Sequence, residues 1–275
     1  MTMADPRPGL RYGSAPDRRQ RILDLVTAQG FCTIVELSAA LDVSEMTVRR
    51  DVERLSKEER VRRVHGGVTV LTSEAMHPND FNIRVTAMRE QKLAVAAAAL
   101  DFITAGSTIC VDAGTTTLEL ARLLPEDHGL TVATHSIPVM TTLLPKSGVL
   151  VFGLGGELHP ETQDFAGPTT TAAIRELRIS TLFLAAGGLG ARGVYCASDH
   201  EALVKRALIE VSDRVILLAD SSKFRSSAMV RVCMLDSVDH AVIDDGISPE
   251  EISLLRESSV PLTIAPAPPD KPTRP

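Results

Sequence analysis

Residues 36–70 read ELSAALDVSEMTVRRDVERLSKEERVRRVHGGVTV. Glu36 to Leu41 forms a short helix, and Thr33 with Glu36 fits a capping box in front of it. Asp42-Val43-Ser44 supplies the turn, with Ser44 as N-cap of a second helix running to Leu55. Val48, Val52 and Leu55 recur at helical spacing and face inward. At roughly 100° per residue, Met46, Arg50 and Glu53 point the other way, flanked by Arg49 and Arg54. A short helix with an apolar back and an arginine-lined front suits a DNA major groove, where Arg pairs with guanine edges. The candidate DNA contacts on it are Ser44, Met46, Thr47, Arg49, Arg50 and Arg54.

The chain then continues into a basic hairpin. Two β-prone runs flank Gly66-Gly67, from Arg60 to Val70. Arg62, Arg63 and His65 are its candidate contacts, to phosphates or the minor groove. The competing reading is an ordinary solvated basic face. The capped turn, the helix and the hairpin occurring together in order favour a DNA-binding head.

The motif Glu36-Leu37, Leu41, Val43-Ser44, Thr47-Val48-Arg49-Arg50-Asp51, Leu55, Arg63, His65-Gly66-Gly67 resembles the DeoR family of bacterial transcription regulators. The resemblance implies a winged helix-turn-helix with Ser44 to Leu55 as recognition helix. One departure is Glu59, where the family usually places Gly before the first wing strand, so the turn into the wing is expected to differ.

Whole-chain quantities limit what else the protein does. Its 275 residues suffice for one small and one medium domain. Aromatic residues make up 3% and Trp is absent, so the core is aliphatic. A net charge of -6 looks wrong for a DNA binder, but it is unevenly spread. Residues 1–67 carry 12 Lys/Arg against 10 Asp/Glu, and the remainder 17 against 25. The local surface governs DNA affinity, and a modest +2 per head calls for more than one head per assembly. Cys32, Cys110, Cys196 and Cys233 show no zinc spacing and read as single thiols of a reducing compartment. No signal core or membrane-length apolar run is present, so a cytoplasmic protein without a membrane partner is expected.

The expected organisation is a flexible arm over 1–16, a winged helix-turn-helix over 17–70, a linker over 71–83, an α/β domain over 84–260 and a disordered Pro-rich tail over 261–275. Asp17 to Ala28 is the first helix, ended by Gly30, and Phe31 opens a short strand that the wing can join. Arg84 to Leu100 reads as one helix. Beyond it, short apolar strands alternate with helices, which predicts a mainly parallel, Rossmann-like sheet covered on both sides.

Ligands of such sheets sit beyond the carboxyl ends of the strands, and polar residues cluster there. Asp112, Gly114, Thr115 and Thr116 end one strand, where a helix start offers backbone donors to an anion. Thr134, His135 and Ser136 end the next. Gly155 and Gly156 allow close approach, and Lys223 supplies counter-charge to a phosphate. Asp112 is expected to hold a sugar hydroxyl or to cap a loop. Each feature alone also fits an ordinary capped helix start or a packing residue; several similar strand ends together favour a pocket. Neither G-x-G-x-x-G nor G-x-x-x-x-G-K-[ST] occurs, which disfavours dinucleotides and nucleoside triphosphates.

The resemblance extends over roughly 18–250. It covers Asp112 with Gly114 to Thr116, the Gly155-Gly156 pair, Glu201-Ala202 with Lys205-Arg206, and Asp220, Ser222, Lys223 and Phe224. Thr134-His135-Ser136 stands where the family carries Thr-Asn-Ser, a change that bears on effector choice. The family implies a sugar-phosphate-isomerase-like sensor domain, a phosphorylated sugar or related metabolite as effector with no cofactor, double-stranded operator DNA as partner, and a homodimer or homotetramer. It implies repression of carbohydrate or nucleoside catabolism genes. The alternative is a sugar-phosphate isomerase that kept a DNA-binding head; Asp112, His135, Glu201 and Asp220 are its available acid–base groups. A purely architectural DNA binder has no use for the glycine-rich strand ends.

Overall fold

The computed structural model describes residues 15–29, 31–58, 60–64, 67–70 and 80–266. Expectations at Glu59, His65 and Gly66, for most of the arm and linker, and for residues 267–275 lie outside the described residues. The chain forms two compact units that divide between Pro78 and Asn79.

The first unit runs α1 (Ala15–Gln29), β1 (Phe31–Thr33), α2 (Ile34–Leu41), α3 (Glu45–Lys57), β2 (Val61–Val64) and β3 (Gly67–Val70). Thr33 Oγ1 accepts from the Glu36 amide at 3.1 Å, and Glu36 Oε2 accepts from the Thr33 amide at 2.8 Å. This reciprocal cap is worth about 1 kcal/mol. Asp42 takes φ 50 to end α2, and Ser44 caps α3 through the Thr47 amide. The apolar stripe of α3, Val48, Val52 and Leu55, is buried against Ile22, Leu37 and Leu41. The hairpin β2–β3 takes β1 on its other side, so the sheet order is β1-β3-β2.

The second unit opens with α4 (Phe81–Thr86) and α5 (Arg89–Ala99), followed by β4 (Thr108–Val111), α6 (Thr115–Leu123), β5 (Leu130–Thr134), α7 (Ile137–Leu143) and β6 (Val149–Gly153). A hairpin follows, β7 (Glu157–His159) and β8 (Asp164–Ala166), then α8 (Pro168–Arg175), β9 (Thr181–Ala185), β10 (Gly188–Gly190), β11 (Gly193–Cys196) and α9 (Asp199–Glu210). The unit closes with β12 (Val215–Ala219), β13 (Val230–Cys233), β14 (His240–Asp244), α10 (Pro249–Glu257) and β15 (Leu262–Ala265).

Seven strands form one parallel sheet in the order β15-β14-β12-β9-β4-β5-β6. Alternate residues feed its two cores, as the period of two requires. On β9, Phe183 packs with α5, α6 and α7, while Leu182 and Leu184 pack with α8 and α9. The α/β expectation therefore holds, and the winged head stands in front of it in sequence.

Two expectations need correcting. The single helix over 84–100 is two helices, broken where Met88 adopts φ 52. Lys92 makes the break tolerable: its buried Nζ donates to the carbonyls of Arg84 and Ala87, which the break leaves without helical partners. The Pro-rich tail does not begin at 261, because Leu262–Ala265 is an edge strand in register with Ala241–Asp244. Its prolines flank the strand instead of interrupting it, and a proline outside the ladder removes no strand bond. Among the described residues no helix is long and apolar enough to cross a membrane.

Candidate functional site

The outer face of α3 is as polar as its inner face is apolar. Met46 is 67% exposed, and Arg49, Arg50, Glu53 and Arg54 are exposed with it. Arg49 is held by Glu45 at 3.3 Å and Arg54 by Glu58 at 3.1 Å. Arg50 forms no ion pair among the described residues, so it needs no partner exchange before meeting a base edge. Ser44 and Thr47 hydroxyls bond each other at 2.9 Å and lie at the helix start. A contact unseen in the sequence fixes the helix: Arg18 Nε donates to the buried Asp51 Oδ2 at 2.5 Å, tying α1 to α3. The cleft between these helices, about 590 Å³, mixes charges: Arg18, Arg19, Arg50, Arg54 and Lys57 line it together with Asp51, Glu53 and Glu58. Arg62 and Arg63 are both exposed on β2, with Arg62 opposite Thr69 and Arg63 opposite Val68.

In the second unit the strand ends carry a buried ion cluster. Asp112 has no exposed surface. Its Oδ1 accepts from the Ala113 amide at 2.9 Å and from His135 Nε2 at 3.1 Å. Its Oδ2 accepts from the Ala185 amide at 2.9 Å and from Lys205 Nζ. His135 Nδ1 donates to the Phe165 carbonyl at 2.9 Å. Each ring nitrogen faces an oxygen acceptor, and the Ala113 amide also points at Nε2 from 3.3 Å. Burial alone would lower the His135 pKa, but the hydrogen bond and charge of Asp112 outweigh it and the direction is upward. For Asp112, burial pushes up, yet the charge of Lys205 and the bond from His135 hold the carboxyl below its ordinary range. Burial opposes a charged Lys205 too, and Asp112 and Glu201 together raise its pKa. The cluster joins β4, β5, β8, β9 and α9.

Of the two roles expected of Asp112, these bonds favour the loop cap over the hydroxyl contact. All its acceptor directions serve the protein, so it positions His135 and Lys205 instead. Asp112 and His135, two of the acid–base groups named for the isomerase alternative, are buried and bonded to each other.

Around this cluster lie groups that remain available. Gly114 precedes α6 with no side-chain cap, and the hydroxyls of Thr115 and Thr116 make no hydrogen bond among the described residues. Thr117 instead holds the turn, donating to the carbonyls of Asp112 and Gly114. A Cβ at Gly114 would lie 2.5 Å from Ala185 Cβ, so glycine lets this turn close on β9. Gly156 is packed in the same sense, 2.0 Å from Thr170 Oγ1 by that measure, whereas Gly155 faces open space. Thr134 Oγ1 accepts from the Ser136 amide, and Ser136 caps α7 through Val139.

Cations line the same end of the sheet. Burial pushes the Lys92 pKa down to about 8, with Asp220 opposing and Lys223 and Arg84 adding to the fall. Burial also lowers Arg84, against the pull of Glu201, Asp164 and Asp80. Lys223 Nζ stands 3.8 Å from Asp220 Oδ2, a buried oxygen with no hydrogen-bond partner. Lys92, Lys205 and Arg84 were not candidates in the sequence reading. Lys205 lay within a quoted motif; Lys92 looked like one charge of an ordinary helix.

A family model described as the DeoR C terminal sensor domain matches residues 87–245, and one described as the DeoR-like helix-turn-helix domain matches residues 18–74. The chain belongs to the DeoR family. Similar relatives span nearly its whole length. The HTH-type transcriptional regulator YulB of Bacillus subtilis (strain 168) is 32% identical, over 91% of this chain and 96% of that one. The transcriptional repressor AccR of Agrobacterium fabrum is 33% identical, over 86% and 92%. The glycerol-3-phosphate regulon repressor of Escherichia coli (strain K12) is 31% identical, over 87% and 93%. As a DeoR-family protein it is a DNA-binding regulator and not an enzyme. Within the DeoR pattern His135 stands at the position read above as the family's Asn, and here its ring bonds Asp112 and the Phe165 carbonyl.

Proposed function

We propose that the protein represses genes of carbohydrate or related catabolism and leaves operator DNA when a phosphorylated sugar binds its second unit. One observation carries the effector reading. The uncapped start of α6 and Lys223 mark one end of the sheet, together with a buried Asp220 oxygen that lacks a hydrogen-bond partner. A phosphate takes the helix start and Lys223, as helix N-termini favour. Asp220 Oδ2 accepts a sugar hydroxyl, the role first assigned to Asp112. Thr115, Thr116, Ser136 and Gly155 line the approach. The relative named for the glycerol-3-phosphate regulon supports a small phosphorylated ligand. On the DNA side, Met46 and Arg50 read bases, with Ser44, Thr47, Arg49, Arg54, Arg62 and Arg63 as further contacts; His65 is a contact proposed from the sequence. A homo-oligomer supplies the second head.

Regulation requires unequal effector affinity in the DNA-bound and released states. A twentyfold difference equals about 1.8 kcal/mol, within the usual range for coupled sites. The test is fluorescence anisotropy on operator DNA with a panel of phosphorylated sugars and glycerol 3-phosphate, inorganic phosphate as control. At least one ligand is expected to weaken DNA binding in the wild type, and Lys223→Ala to blunt the response while effector-free DNA binding persists. An equal response in both proteins would place the site elsewhere.

A further inference from the structure

The two edges of the parallel sheet are built differently. β15 is bracketed by Pro261 and Pro266, which blunt it against further pairing. β6 has no such guard: Val149 to Gly153 carries no charge and no proline, and no other strand pairs with its outer side among the described residues. The Leu154 amide donates inward to the Thr134 carbonyl at 2.9 Å. By the alternation of parallel ladders, Leu150 and Phe152 also bond β5, while Val151 and Gly153 turn their amides and carbonyls outward. Leu150 is 67% and Phe152 49% exposed, and their spacing puts both on one face.

We propose that this edge seats the β6 strand of a second copy of the chain, antiparallel and centred on Val151. The proposal rests on the oligomer reading above and names its interface. The centre follows from the outward groups: the two Val151 residues exchange amide–carbonyl bonds, and each Gly153 amide donates to the Val149 carbonyl of the other copy. The Val149 amide is already used by Lys146 at 3.2 Å and asks for no partner. In this register Leu150 lies directly opposite Phe152 of the second copy, as a close, non-hydrogen-bonded pair. The two-fold axis makes that pair twice, so four exposed apolar side chains cover one another. Backbone groups and apolar side chains are thus both self-complementary in this one register.

Light scattering on the full chain tests this. The wild type is expected at a multiple of 29.5 kDa, and Leu150→Lys/Phe152→Lys at half that mass or less, with unchanged circular dichroism. A second arm does not depend on loss of assembly. Leu150→Cys/Phe152→Cys should form an intermolecular disulfide under mild oxidation, because such cross-strand pairs lie within disulfide reach. The wild type under the same oxidant is the control for its own thiols. A wild-type multimer whose lysine variant keeps its mass, with no cross-link in the cysteine variant, would overturn this interface and leave the oligomer reading intact. A monomeric wild type at micromolar concentration would overturn both.

Discussion

Replacing Lys205 by Met tests the buried cluster most directly. Met nearly matches the volume of Lys, so little cavity opens. What changes is charge: Asp112, fully buried, keeps the Ala113 and Ala185 amides and His135 but loses its strongest counter-ion. Stranding one member of a buried pair costs about 3–5 kcal/mol. For a unit of this size each kcal/mol lowers the midpoint by about 2–4 °C, giving a fall of about 6–20 °C. Urea and thermal unfolding followed by far-UV circular dichroism would read it, with the head's own transition as internal reference. The double variant Asp112→Asn/Lys205→Met has no stranded charge and is expected to recover part of the loss, with a coupling of about 0.5–3 kcal/mol. A loss below about 1 kcal/mol for Lys205→Met, or strictly additive losses in the double variant, would refute the claim that Lys205 balances Asp112.

The remaining expectations are shorter. The pKa of His135 is raised in the folded chain, so its contribution is full below its ordinary value of 6.5 and fades as pH rises through the folded value. Asp112 is depressed, so its contribution is full above 3.8 and fades as pH falls through the folded value. Urea midpoints against pH should therefore decline on both sides, and His135→Asn should remove the alkaline decline; an unaltered profile would mean that His135 is neutral when folded. Arg50→Ala should cut discrimination between operator and altered duplexes by about 1–3 kcal/mol in anisotropy titrations, and equal weakening on every duplex would make Arg50 a phosphate contact. Arg62→Ala and Arg63→Ala should each lower the slope of log affinity against log salt by about one if that residue meets a phosphate. Adjacent strand residues leave opposite faces, so unequal slopes are expected from the two variants.

The head was readable because its determinants are local. Thr33 with Glu36, Ser44 with Thr47, and the Val48–Val52–Leu55 stripe all act within one or two helical turns. The parallel sheet was readable from short apolar runs such as Val215–Ala219, which is buried throughout. The strand ends were located, but the bonding at them was not. Lys205 reaches Asp112 across 93 residues, and nothing in the local pattern of α9 distinguishes a lysine pointing inward. The break at Met88 escaped for a related reason: its stabilising partner is the side chain of Lys92, while the local sequence favours continuous helix. The hairpin β7–β8 is short and partly polar, and its closeness to His135 comes from the Phe165 backbone, which no residue type reveals.

The strand after α10 sets where the sensor can be cut. A fragment ending at residue 260, the boundary suggested by the prolines, would lose Leu262–Ala265 and lay bare one side of Ala241–Asp244. Ala241, Val242 and Ile243 have no exposed surface, and an apolar strand stripped of its neighbour is a template for self-association. Such a fragment would precipitate for reasons unrelated to effector or DNA, and its failure could be mistaken for a need for the head. Cutting after Pro266 keeps the ladder closed, so a sensor fragment of residues 80–266 is the one whose solubility reports on the sensor itself.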